Sequence, residues 1–262
     1  DARGRNPFSD YLRTDVASDV RGCLEWIGVA GFPNNSERDN AMSVFTSVVG
    51  RKVLMAISGM FMLLFVVAHL LGNATIFAGA PALNAYAEKL HSLGPLVWVF
   101  RTVMLVALGV HVVFGVWLTL ENWTATPKKY AVNRKLKVTF SSRTMIWTGA
   151  LLFAFVAYHL AQFTLRITPD IVPQIGAVGP GDVFAMVTHS FGFLPIVAAY
   201  VVAMVVLFLH LRHGLQSFLQ TLGLSNDRVQ PKYIALANVF SALFFVGFSA
   251  IPLLILAGIL SR

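Results

Sequence analysis

The chain has 262 residues, of which 56% are hydrophobic and only 12% charged, with a mean hydropathy of +0.70. That composition excludes an ordinary soluble globular domain. The net charge of +8 and pI near 9.9 would suit a nucleic-acid binder, but the basic residues gather in particular loops between apolar stretches, as topology signals do, so no nucleic-acid partner is expected.

Residues 1–41 are polar, rich in Arg and Asp, and contain no lysine. They hold the single cysteine, Cys23. The chain alone can therefore form neither an internal disulfide nor an iron–sulfur cluster. Met42 opens the segment that reads like everything after it. Residues 1–41 are accordingly expected to be a disordered or non-native extension, and 42–262 a membrane domain.

Nothing charged lies between Lys52 and Glu88, Arg143 and Arg166, Asp182 and Arg212, or Lys232 and Arg262. A fifth apolar stretch, Pro95 to Leu120, contains only Arg101. Each exceeds the ~20 residues a helix needs to cross the hydrocarbon core. The expected spans are Val53–Phe77, Pro95–Leu120, Thr144–Leu165, Phe191–Gln216 and Tyr233–Leu260, an all-α five-helix membrane bundle. Asn84–Ser92 has amphipathic spacing that suits a membrane surface. Thr168–Gly181, rich in Pro and Gly, is expected to be an external loop. Lys128, Lys129, Arg134, Lys135 and Lys137 fill one loop, and Arg228 with Lys232 another. These place the N-terminus in the cytoplasm and the C-terminus outside.

One histidine falls in each of the first four spans: His69, His111, His159 and His210. An ionisable side chain in a span is costly unless a partner or a function holds it there. Counted along helices from the flanking charges at ~1.5 Å per residue, His69 and His159 lie in the outer half and His111 and His210 in the inner half. Two neutral imidazoles make a six-coordinate haem iron suited to electron transfer. The depth sorting therefore points to two bis-histidine haems b, enclosed by the bundle and stacked as a path across the bilayer. Gly115 and Gly214 follow the inner histidines by four residues, on the same face, and would leave room for a porphyrin.

Other residues remain open in role. His213 competes with His210, which is deeper and has the glycine spacing. His189 reads as an interfacial polar residue. Glu88 and His91 could meet a quinone carbonyl, although a solvated loop histidine is the commoner outcome. Arg101, Arg143, Arg166 and Arg212 could pair with haem propionates, or snorkel to the headgroups. A His/Glu proton relay lacks carboxylates in the spans. A haem-free carrier or assembly protein, with histidines that only pack, is the reading from a different class.

The runs Gly50-Arg51-Lys52-Val53-Leu54-Met55-Ala56, Ser58-Gly59, His69-Leu70-Leu71-Gly72-Asn73, Asn84-Ala85-Tyr86-Ala87, His210-Leu211-Arg212-His213-Gly214 and Gln220-Thr221-Leu222-Gly223 resemble the cytochrome b subunit of succinate dehydrogenase and fumarate reductase. The similarity is to its single-chain, five-helix, two-haem type and covers about Met42 to Arg262. It implies flavoprotein and iron–sulfur partner subunits on the cytoplasmic side, with electrons passing to a quinone, usually menaquinone. Succinate chemistry would then lie on a partner chain. The family's four haem ligands fall on His69, His111, His159 and His210, and its histidine-to-glycine spacing selects His210 over His213. Where some fumarate reductases carry a glutamate two residues before the ligand, this chain has Phe208. That departure leans towards succinate oxidation. Cytochrome b subunits of formate dehydrogenases or nitrate reductases share the ligation but not the first-helix sequence.

Overall fold

Long runs of Leu, Val, Ala, Met and Phe leave a chain in lipid one local way to satisfy its backbone, the hydrogen-bond ladder of a helix. The computed structural model describes residues 47–125, 139–171 and 181–260, and among them every regular element is helical. In chain order these are α1 (Val48–Ala74) with a 3-10 turn (Thr75–Ala78), α2 (Ala80–Ser92), α3 (Pro95–Thr124), α4 (Phe140–Arg143), α5 (Met145–His159) with a π-helical turn (Leu160–Thr164), α6 (Val183–Ser190), α7 (Leu194–Thr221) and α8 (Gln230–Leu256). Five are long and apolar enough to cross a membrane: α1, α3, α5 with its π turn, α7 and α8. The expected all-α, five-span architecture is the one observed, and the chain is a multi-pass membrane protein. The reading of 1–41, the basic loop at 128–137 and most of the 168–181 loop lie outside the described residues.

Helix ends depart from the expected ones for identifiable reasons. α1 starts at Val48 and α3 continues to Thr124 because their charged ends satisfy each other. The Arg51 guanidinium donates to both Glu121 carboxylate oxygens, at 2.7 and 2.9 Å, and lies 5.3 Å over the Trp117 ring. Trp117 Nε1 donates to the same carboxylate at 2.9 Å. The fourth span begins at Leu194, three residues beyond the expected Phe191, and a short helix precedes it. Asp182 caps α6 through the Ala185 N–H, and a turn at Phe191–Phe193 precedes α7, whose second residue is Pro195. Proline costs nothing there, since its missing N–H would have no partner in a first turn.

α1 packs along α3 and α7 along α8, while α5 and α1 both pack on α7. The four histidine-bearing helices thereby share one bundle. Leu64, Leu71, Trp98, Leu151 and Val239 stand exposed on its outer faces, as lipid-facing side chains would. α2 is a helix, as its spacing suggested. Asn84 on α2 donates to Asp182 and accepts from the Phe184 N–H, both at 3.0 Å, and so ties α2 to α6.

Candidate functional site

The bundle brings the histidines together in the two pairs expected from depth. His69 and His159 have ring centroids 5.8 Å apart at an interplanar angle of 86°, and His111 and His210 lie 6.2 Å apart at 61°. It is His210, not His213, that stands against His111. The pairs sit at different levels. Met55, which touches His111, precedes His69 by 14 residues on α1, a rise of roughly 21 Å at ~1.5 Å per residue. Thr148, which touches His210, precedes His159 by 11 residues along α5, or roughly 16 Å.

Hydrogen bonding assigns the ring protons of three histidines. His111 Nδ1 is 3.1 Å from the Met55 carbonyl, which can only accept, so Nδ1 carries the proton. His210 Nδ1 is 3.2 Å from Thr148 Oγ1, whose own hydrogen goes to the Met145 carbonyl; again Nδ1 donates. His159 Nδ1 is 3.0 Å from the Tyr200 hydroxyl, which donates to Gln162 Oε1 at 2.6 Å. The Gln162 amide is oriented in turn by donating Nε2–H to Asp170 at 2.8 Å. In each case Nε2 keeps its lone pair. A metal sits ~2 Å from an imidazole nitrogen, so two imidazoles on opposite sides of one ion hold their centroids roughly 6 Å apart. Both pairs have that spacing. Among the described residues no cluster of three or more His, Cys, Asp or Glu forms. Each pair can therefore hold an ion whose remaining ligands come from elsewhere, as in a macrocycle.

Glycines explain the close approaches. A Cβ on Gly59 would stand 3.0 Å from His111 Cε1, so this motif residue lets α1 reach the histidine. A Cβ on Gly72 would collide with the Tyr86 ring, which joins two of the sequence motifs across α1 and α2. Gly214 has nothing within 4 Å of its Cβ position, and Gly115 only Met55 Sδ at 3.9 Å, so the faces beside the inner histidines are open. Phe65 and Phe248 flank His69, while Phe155 and Phe163 flank His159.

The remaining candidates are scattered. Glu88 and His91 are exposed on α2 and line an open concavity of about 500 Å³ with Pro81, Asn84 and Gly181. Arg101 lies 5.0 Å over the Trp98 ring. Arg143 is exposed, and Arg166 and Arg212 are half-buried. His189 packs on Phe193. The sequence reading missed Tyr200, Gln162 and Asp170. The carboxylate sought within the spans comes instead from the loop after the third one. The π turn and Arg166, whose φ of 56° is left-handed, fold that loop back over the helix end. Burial pushes Asp170 up, yet hydrogen bonds from Gln162 and Ser190 outweigh it and hold the carboxyl below its usual range.

Fold and site together define a five-span helical membrane protein with four histidines paired at two depths. Residues 128–248 match the family of the succinate dehydrogenase/fumarate reductase transmembrane subunit. The match spans just under half of the chain and marks a likeness to these membrane subunits over that stretch. The matched stretch includes His159 and His210 and leaves out the first-span motifs. No curated protein and no solved structure gives a significant match.

Proposed function

We propose that the chain is the dihaem cytochrome b anchor of a succinate:quinone oxidoreductase. The paired histidines, spaced for a shared ion and with Nε2 free in three of the four, carry this reading. His69 with His159 would hold the outer haem b, and His111 with His210 the inner. Bound haem supplies reversible one-electron chemistry, while the protein sets ligation, spacing and dielectric. Met55, Thr148 and Tyr200 fix the tautomers of their histidines, as partners of metal-ligating imidazoles do. Gly59, Gly115 and Gly214 keep the ring faces clear.

In this reading a flavoprotein subunit oxidises succinate on the cytoplasmic side and an iron–sulfur subunit delivers the electrons. They leave to a membrane quinone, menaquinone by family resemblance, near the outer pair. Glu88 and His91, exposed in the α2 concavity, are the candidates to hydrogen-bond a quinone. Arg101, Arg143, Arg166 and Arg212 are the cations within reach of the span ends for propionates. The setting is a bacterial cytoplasmic membrane with the N-terminus inside. Phe208, in place of a carboxylate, favours succinate oxidation as the working direction.

A reduced-minus-oxidised spectrum of the detergent-purified chain, with haem quantified, tests this. The expected result is two low-spin b haems per chain, falling to one in His69→Ala or His210→Ala. A folded, colourless protein would leave the four histidines as packing residues.

A further inference from the structure

The four histidines are not held alike. His111 donates to a main-chain carbonyl and His210 to a threonine hydroxyl, both neutral acceptors. His159 instead opens a series of donors that all point one way. Its Nδ1–H goes to Tyr200, the Tyr200 hydroxyl to Gln162, and the Gln162 amide to the Asp170 carboxylate, which also accepts from Ser190 at 2.7 Å. Gln162 and Ser190 have no exposed surface and Tyr200 has 7%. Water therefore does not dilute the interaction along the middle of the chain. Hydrogen bonds in series polarise one another in such surroundings, and a carboxylate behind a ligating histidine strengthens it as an electron donor.

We propose that Tyr200, Gln162 and Asp170 are positioning residues that carry the negative charge of Asp170 towards the Nδ1–H of His159, making it the most strongly donating of the four imidazoles and lowering the reduction potential of the haem it ligates. The inference rests on the dihaem reading and adds to it an electrostatic difference between the two sites. Stronger donation stabilises the oxidised iron, so breaking the chain raises the potential. The local architecture serves this contact. The π turn directly after His159 is what places Gln162 between Tyr200 on α7 and Asp170 in the loop, and π turns of this kind recur at functional sites.

Optical redox titration of the haem-loaded full chain tests the proposal, comparing wild type with Tyr200→Phe and Asp170→Asn. The outer haem is assigned as the one retained in His210→Ala. Tyr200→Phe removes the acceptor of His159. Asp170→Asn keeps an acceptor for Gln162 and Ser190 but removes the charge. The expected result is a rise in the outer potential alone, about tenfold in the redox equilibrium for Tyr200→Phe, or ~59 mV for one electron. A smaller rise is expected for Asp170→Asn. Lower thermal stability or haem content with both potentials in place would mean a structural role only and overturn the proposal. Two haems at unmoved potentials in all three proteins would overturn it while leaving the dihaem reading standing. A wild type without haem would remove that reading and this one together.

Discussion

Single atoms decide several of the contacts around the histidines. Gly59 and Gly149 both face imidazoles, but an added Cβ would stand 3.0 Å from His111 at the first and 3.5 Å from His210 at the second. The first distance forces the ring or the helix to move; the second is ordinary contact. On the dihaem reading, Gly59→Ala should push the His111 ring aside by a few tenths of an ångström and lower the haem content of the inner pair, with a stability cost of up to about 1–3 kcal/mol where the overpacking is not relieved. Gly149→Ala should do neither. Thermal unfolding with haem content measures both, and equal behaviour of the two variants would contradict the geometry. Asp170 offers a pH test. Its folded pKa lies below its ordinary value because Gln162 and Ser190 outweigh the burial that opposes them. A depressed carboxylate stabilises the fold fully above the unfolded value of ~3.9, and that contribution is lost as pH falls through the lowered folded value. The stability gap between wild type and Asp170→Asn should thus be constant from pH 7 to about 5 and shrink below about 4. A gap that already shrinks near neutrality would mean that the carboxyl is not held ionised.

At the scale of elements, the π turn Leu160–Thr164 has the clearest consequence. Its extra residue is marked by the Leu165 N–H donating to the Leu160 carbonyl at 2.8 Å, five residues back. Deleting Ala161 would remove the extra residue and restore an α-helical turn, withdrawing Gln162 from its place between Tyr200 and Asp170. On the dihaem reading the expected variant keeps both haems and shows the outer potential raised, as Tyr200→Phe does. An unmoved outer potential would show that the turn is dispensable to the outer site. The same segment marks the limit of sequence reading. Uncharged length was enough to find five spans, and counting from flanking charges was enough to sort four histidines by depth. Arg51 and Glu121 hid the helix ends because each reads alone as a polar boundary, whereas their mutual contact lets both helices run through. Asp170 was unreadable as a partner of Gln162 because only a π turn and a left-handed Arg166 bring the loop back. Local propensity gives no sign of either.

On the scale of the whole molecule, the two histidine pairs lie roughly 16–21 Å apart along the helices, more than half of the ~30 Å hydrocarbon thickness. An electron moving from inner to outer pair would cross a comparable share of the membrane potential. One charge moved through the full drop is worth ~2.3 kcal/mol per 100 mV, so this transfer is worth roughly 1.2–1.6 kcal/mol per 100 mV. The sign follows from topology. With an iron–sulfur donor on the cytoplasmic side and quinone near the outer pair, the electron moves outward, and an inside-negative potential pushes it forward. Succinate-to-quinone turnover by the assembled complex in oriented proteoliposomes should therefore slow when that potential is collapsed by an ionophore. Fumarate reduction by quinol should respond in the opposite sense. Turnover with the same rate at every imposed potential would mean that electrons leave from the inner pair, and that the outer histidines serve no step that crosses the bilayer.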